Sequence, residues 1–428
     1  MIKVLHTKDA PACGQMLRKI KSRSIVSDGE LLNAVSAIVT DVSERGDAAL
    51  IDYTRRFDKL ELSREALRVD GETLRQSAAK VEARVLEAMR EAIANVRRFH
   101  ERQVEASWEY SPAPGIRLGQ IISALESAGV YVPGGTAAYP SSVIMNVVPA
   151  QIAGVKRIVV TTPPRTMIEN PAVAAALVEL NVSEVYAVGG AQAIAALAFG
   201  TESVPRVDKI VGPGNKYVAA AKKLVFGAVD IDSIAGPTEV VIIADGTGNA
   251  AFIAADMLAQ AEHAEDASAI LITNDEGLAQ AVAGEIRTQT ESQPRQEIIR
   301  QSLDGFGAIF VVRDLNEACG IANDLAPEHL QVIVADETLV SEIKHAGAIF
   351  FGSFTPEAVG DYWAGPNHVL PTSGAARFSS ALGVYDFVKR TSMLRYSAEA
   401  LRGAIPKIAA LAETEGLYAH ANSVKIRQ

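Results

Sequence analysis

Glu328 and His329 stand side by side directly after Pro327, placing two proton-transfer groups together. Imidazole titrates near neutral pH, and burial can tune a glutamate toward it. Taken alone, the pair reads equally well as solvated charges on a turn that opens a strand. Asp256, Gln260 and His263 fall at i, i+4 and i+7 of an apolar run and share one helical face. By itself such a face is more often solvated surface than a ligand set. Gly360-Asp361-Tyr362 runs into Gly365-Pro366-Asn367-His368, rigid and polar enough to line a site, with an ordinary surface loop as the alternative. Near the end of the chain Glu415 and His420 lie within about a turn and a half of helix, though a terminal histidine usually has no role. His6, His100 and His345 have no acidic or amide partner at a persuasive spacing and read as surface or core.

One local pattern suggests a dinucleotide fingerprint. Gly246-Thr247-Gly248-Asn249-Ala250-Ala251 is a GxGxxA between an expected strand and an expected helix. The structural reading is preferred, because a strand-to-helix turn needs glycine and a cap such as Asn249. No acidic residue ends a following strand where a ribose would require it.

The elements that must carry these groups show in the hydrophobic pattern. Ser27 and Asp28 are expected to cap a helix over 30–57 in which Leu32, Val35, Ile38, Val39 and Val42 keep helical spacing, and a second helical run covers 72–103. From about Ile116 the texture changes to short runs, apolar on both faces, mostly separated by helix-length segments. Those at 157–162, 184–188, 209–211, 239–244, 269–273, 308–312, 331–335 and 348–351 predict parallel strands in an α/β fold. Strands are expected to stop after about Ser373, leaving a helical tail from Ala398.

Composition narrows the chemistry. The 428 residues predict two or three domains, and 48% hydrophobic content supplies their cores. The only cysteines, Cys13 and Cys319, are far apart, which excludes a Cys-rich zinc site and a disulfide framework and fits a reducing cytoplasm. Forty-one Lys and Arg against 51 Asp and Glu give a formal charge of −10, which argues against nucleic acid as a partner. No apolar run reaches the length of about 20 residues that spans a bilayer, and Met1 to Leu5 is too short for a signal segment. A soluble cytoplasmic protein without a membrane partner is expected.

Together the segments resemble one family along nearly the whole chain, the histidinol dehydrogenases. The resemblance rests on Tyr131-Val-Pro-Gly-Gly, the run from Val188 to Glu202, Val211-Gly-Pro-Gly-Asn215, Ala235-Gly-Pro-Thr-Glu239, Gln260-Ala-Glu-His263, Ala326-Pro-Glu-His-Leu330, Gly360-Asp-Tyr362 and Asn367-His-Val-Leu-Pro-Thr372, in order. It implies two Rossmann-like αβα units of aldehyde-dehydrogenase type, with N-terminal helices and a helical tail. Residues 1–20 would form an arm. The ranges 21–128 and 238–375 would form the catalytic and zinc-binding unit, 129–237 the NAD-binding unit, and 376–428 a dimerisation tail.

The resemblance further implies a zinc- and NAD+-dependent oxidation of L-histidinol to L-histidine through bound histidinal, the last two steps of histidine biosynthesis. The family's ligands for one zinc per subunit fall on Gln260, His263, Asp361 and His420, all without sulfur. Its acid/base pair falls on Glu328 and His329, and its substrate contacts on Thr238, Gln260, His263, His329, Asp361, His368, Glu415 and His420. Its NAD contacts fall on Tyr131, Gln192 and Asn215. Thr238 departs from the serine often found there but keeps the hydroxyl. The family forms a homodimer whose exchanged tails would carry Glu415 and His420 into the partner's site. Aldehyde oxidation would go through the hydrate, since no cysteine is placed to form a thioester. The alternatives are a related zinc/NAD alcohol dehydrogenase acting on another polyol such as sulfopropanediol, and a non-catalytic zinc-binding paralogue.

Overall fold

In the computed structural model, which describes residues 2–23, 29–134 and 139–428, two six-stranded sheets and one three-stranded sheet carry the chain. The first runs, in spatial order, Lys3–His6, Ala308–Val311, Ser268–Thr273, Glu239–Ala244, His329–Ile333 and Ala348–Phe351, all parallel. Every residue of Glu239–Ala244 and Ser268–Thr273 is buried, as befits strands covered by helices on both faces. The second runs Arg68–Val69, Glu184–Ala187, Arg157–Thr162, Ser127–Tyr131, Lys209–Val211 and Asp230–Ile231, parallel except at Arg68–Val69. The α/β class expected from the sequence is what forms.

Several boundaries differ from expectation. Ser127–Tyr131, unremarked in the sequence, lies inside the second sheet and is buried throughout. Its small residues hide it: a Cβ on Gly129 would come within 3.0 Å of the Leu197 and Val207 side chains, so close packing selects glycine over a β-former there. Residues 1–20 are no arm. Lys3–His6 extends the first sheet, and the helix Ala10–Lys21 buries Cys13, Met16 and Ile20 in its core.

The expected helix over 30–57 divides into Gly29–Arg45 and Asp47–Phe57. Gly46 takes φ 56°, and a Cβ there would sit 2.2 Å from Glu202 Oε2, the oxygen that accepts the Asp47 N–H. The proposed caps Ser27 and Asp28 lie outside the described residues. Val35, Ile38, Val39 and Val42 do face a core, but it is shared with Tyr131 of the second sheet and with Ile194 and Leu197 of the helix Gly190–Phe199. Residues from 29 onward therefore pack with the second unit, a correction to their expected place in the first. The run 72–103 likewise breaks into Gly71–Ala78, Ala83–His100 and the short turn Glu101–Gln103.

Strands also continue beyond Ser373. Val388–Tyr396 pairs antiparallel with Ile116–Ala124, which pairs with Trp108–Tyr110. The strand is largely exposed, so no apolar alternation announced it. The helices Ala398–Thr414 and Tyr418–Lys425 follow, joined through Ala409, Ala412 and Ala421. Trp108, Tyr110, Leu394, Leu411, Tyr418 and Ile426 remain exposed on this sheet and tail. Among the described residues no helix is long and apolar enough to cross a membrane.

Candidate active site

The helix Leu315–Leu325 ends on Ala326 in the left-handed conformation, φ 49°, and Pro327 then turns the chain inward. The following strand begins at His329, two residues earlier than expected, and pairs with Val240 on one side and Ala348 on the other. Glu328 and His329 are 7% and 3% exposed, which rules out solvated turn charges.

Around this pair the polar groups interlock. Glu328 Oε2 accepts from the Thr238 hydroxyl and, at 3.0 Å, from the Glu239 N–H. Thr238 Oγ1 accepts in turn from Gln260 Nε2 at 2.9 Å. His329 Nδ1 lies 3.2 Å from the Glu239 carbonyl oxygen and 3.2 Å from Gln260 Oε1. Both are acceptors, so Nδ1 carries the proton and Nε2 is the basic nitrogen. Nε2 is buried without a hydrogen-bond partner and lies 3.8 Å from Asp361 Oδ1.

Burial dominates the electrostatics. It pushes Glu328 up to about 7 and Asp361 up to about 6, and it holds the His329 imidazolium below its ordinary value. Beneath them runs a further support: the Arg23 guanidinium meets Glu239 Oε2 at 2.6 Å, and Glu239 Oε1 accepts from the Ser373 N–H at 3.0 Å. This holds the backbone that presents the Glu239 N–H to Glu328.

One group escaped the sequence reading. Glu357, on the helix Glu357–Tyr362, is 5% exposed, lies 3.8 Å from His329 Nδ1 and has a buried Oε2 without a partner. Its i, i+4 relation to Asp361 was the available signal. Arg23 and Glu239 left none, because they meet across 216 positions, and Lys222 and Asp232 left none, because they meet only where the chain folds back on the Gly212 turn.

The expected metal ligands are brought together only in part. Gln260 lies at the end of the helix Ala250–Ala261, and His263 lies just beyond it with Nδ1 2.9 Å from Gln260 Nε2. His263 and Asp361 border one cleft with Thr238, Glu328, His329 and His368. His329, Glu357 and Asp361 also form a candidate metal-holding group, their ligand atoms within 4.8 Å of one another. Amide oxygen, imidazole and carboxylate suit a borderline divalent cation, and the unpartnered Nε2 of His329 and Oε2 of Glu357 mark a site whose polar demand this chain leaves unmet. Asp256, one turn before Gln260, is buried but does not border the cleft. Glu415 and His420 do not reach it either: both are exposed on the tail.

The cleft has a volume of about 250 Å³ and takes its far wall from the second sheet, including Gly212, Pro213 and Gly214. A buried ion pair fixes that turn. Lys222 Nζ binds Asp232 and donates to Gly212 O at 2.8 Å, while Asp232 Oδ2 accepts from Gly212 N at 2.8 Å. The two side chains are 3% and 4% exposed. Lys222→Met is therefore expected to strand a buried carboxylate and destabilise the fold by about 3–5 kcal/mol, measured as a fall in the denaturant midpoint. A wild-type midpoint would refute this account of the pair.

Tyr131, Gln192 and Asn215 line a second cavity, of about 530 Å³, beyond the same turn. Tyr131 ends its strand, and its hydroxyl oxygen accepts from the Gly190 N–H at 3.1 Å. Asn215 caps the helix Lys216–Val225. In this sheet the strands after Ser127–Tyr131 build out first to one side and then to the other, the switch point at which doubly wound sheets open a ligand crevice. The GxGxxA segment borders neither cavity. Asn249 there caps its helix, accepting from the Ala251 and Phe252 N–H groups, as the structural reading required. Cys13 and Cys319 are both buried in the core of the first sheet, outside the cleft.

The sequence matches the histidinol dehydrogenase family over residues 21–428. It is 53% identical over 400 residues to a histidinol dehydrogenase of Bacillus licheniformis, covering 93% of each chain. It is 54% identical over 400 residues to that of Geobacillus kaustophilus, covering 93% of this chain and 94% of the relative. The crystal structure of histidinol dehydrogenase from Elizabethkingia anophelis superposes with a TM-score of 0.90 at 36% identity, over 96% of this chain and 95% of that one. A betaine aldehyde dehydrogenase from Staphylococcus aureus has a TM-score of 0.50 at 13% identity, over 82% of this chain and 87% of that one, a likeness of fold alone.

Proposed function

The chain belongs to the histidinol dehydrogenase family, oxidoreductases of histidine biosynthesis, and from that premise we propose that the groups around His329 oxidise L-histidinol to L-histidine in two NAD+-dependent stages. The observation that carries this assignment is the buried pair Glu328 and His329, set in a cleft that is separated by the Gly212–Asn215 turn from a second cavity lined by Tyr131, Gln192 and Asn215.

His329 Nε2 takes the proton of the carbinol oxygen as the adjacent C–H passes its hydride to NAD+, giving histidinal. Glu328 takes a proton from the water that adds to the aldehyde, while the imidazolium of His329 returns its proton to the former carbonyl oxygen. His329 then deprotonates the hydrate as a second hydride leaves for a second NAD+, and L-histidine results. Thr238 and the Glu239 N–H hold the Glu328 carboxylate in place, and the Glu239 carbonyl holds the His329 tautomer.

Gln260, His263 and Asp361, with His420 of the partner subunit, would hold one zinc ion. When bound, it supplies a fixed anchor for the imidazole and amine of the substrate. Asp361, which borders the cleft, favours a cationic amino alcohol over an anionic sulfonate such as sulfopropanediol. His368 would complete the substrate wall from this chain, and Glu415 of the partner subunit would complete it from the other. The exposed apolar residues of the third sheet and tail support a homodimer with exchanged tails, since so much apolar surface usually marks an interface. The enzyme would work in the cytoplasm.

Purified zinc-loaded enzyme given limiting L-histidinol is expected to form two NADH per substrate. One NADH would refute the hydrate stage, and none would refute the whole assignment.

A further inference from the structure

The cavity that holds Tyr131, Gln192 and Asn215 also has Asp58 in its wall, with Ile38 and Phe57 beside it. Asp58 is the C-terminal cap of the helix Asp47–Phe57, where its backbone N–H bonds the Thr54 carbonyl. The carboxylate takes no part in that capping. A negative charge at a helix C-terminus is electrostatically unfavourable, and Asp58 Oδ2 is buried without a hydrogen-bond partner. Apart from the nearby Arg165 charge, the fold gives this carboxylate oxygen no partner, which is the pattern of a group kept for a ligand.

The ligand's orientation follows from the turn that joins the two cavities. Gly212, Pro213 and Gly214 border the catalytic cleft, while Asn215 and Tyr217 border the second cavity. Hydride transfer requires the nicotinamide on the His329 side of the turn, so the adenosine half lies in the second cavity. We propose that Asp58 accepts hydrogen bonds from the adenosine ribose hydroxyls and so selects NAD+ over NADP+. This rests on the NAD+-dependent reading above. A vicinal diol offers two donors to one carboxylate, and a 2′-phosphate would place further negative charge against it. Ile38 and Phe57 supply apolar surface for the adenine. Arg165, in the same wall, lies near enough to interact with the Asp58 charge and, among the described residues lining the cavity, is the cation that would favour a phosphate.

The test compares wild type with Asp58→Asn and Asp58→Ala, each shown to be folded by thermal unfolding, in steady-state oxidation of L-histidinol with NAD+ or NADP+. The KM for NAD+ is expected to rise about tenfold to a hundredfold, with the KM for L-histidinol unmoved and the preference for NAD+ over NADP+ reduced at least about tenfold. Two outcomes would overturn the proposal: folded variants that keep the wild-type preference, or an equal loss with both dinucleotides, which signals a merely structural role. Calorimetric titration with NAD+ and NADP+, without L-histidinol, separates the two readings. A wild type that binds NAD+ yet leaves L-histidinol unoxidised refutes the proposed function, whereas the affinity ratio in the variants still decides the role of Asp58.

Discussion

Glu328→Gln is expected to slow complete oxidation of L-histidinol by about 10²–10⁴-fold, and His329→Asn by at least as much. The two variants should differ in kind. In the proposed mechanism His329 serves both oxidations, so its loss should stop the first NADH from forming in a single turnover. Glu328 serves only the addition of water there, so its amide should leave the first hydride transfer nearly intact and delay the second. Glutamine keeps an amide oxygen that can accept from the Thr238 hydroxyl and the Glu239 N–H, but it cannot take a proton from water. Because burial raises Glu328 to about 7, the carboxylate that accepts the proton is lost as pH falls through that value. The second stage of the wild type should therefore weaken on the acid side of neutrality, and Glu328→Gln should lack that limb. Rapid-mixing measurement of the two NADH phases decides the matter; equal slowing of both phases in Glu328→Gln would refute the division of labour.

Mixing two dead variants is expected to restore activity. Under the proposed tail exchange, Glu328→Gln disables the body of a subunit, whereas His420→Asn disables the tail that would reach the neighbour's cleft. In a mixed dimer one site carries both lesions and the other carries neither, so random pairing should return roughly a quarter of wild-type activity. The mixture must be co-expressed, since interlocked tails would exchange slowly once assembled. A chain ending after Arg402 should lose both zinc and activity for the same reason. Failure of the co-expressed pair to exceed either variant alone would refute tail exchange, and full zinc occupancy in the truncated chain would do so independently.

Much of the site was legible in the sequence because its groups cluster locally. Glu328 with His329, Gln260 with His263, and Gly360-Asp361-Tyr362 each sit within a few residues, next to a proline, a helix end or a glycine. The supporting shell was not legible. Arg23 meets Glu239 across 216 positions, and only the pairing of the first sheet brings them together. Legibility of the fold failed where burial and exposure cancelled the usual pattern. Gly129 holds a strand that packing makes too tight for a larger residue, and Val388–Tyr396 is a strand open to solvent for most of its length. The tail was harder still: a single chain places neither Glu415 nor His420 at the cleft, so the role proposed for them was readable only through the family resemblance.

The turn from Gly212 to Asn215 stands between two compartments with separate linings, one facing Glu328 and His329 and the other facing Tyr131 and Gln192. A reaction that consumes two oxidants while holding one aldehyde has an exchange problem: spent dinucleotide must depart before its replacement arrives, yet the reactive carbonyl must not escape with it. With the proposed siting of substrate and dinucleotide, separate compartments would give each reactant its own route. The nicotinamide would withdraw around the turn toward the second sheet while the aldehyde stayed in the cleft of the first. On that reading the Lys222–Asp232 pair, which ties both the N–H and the carbonyl of Gly212, would let the oxidant turn over without opening the cleft that holds the intermediate.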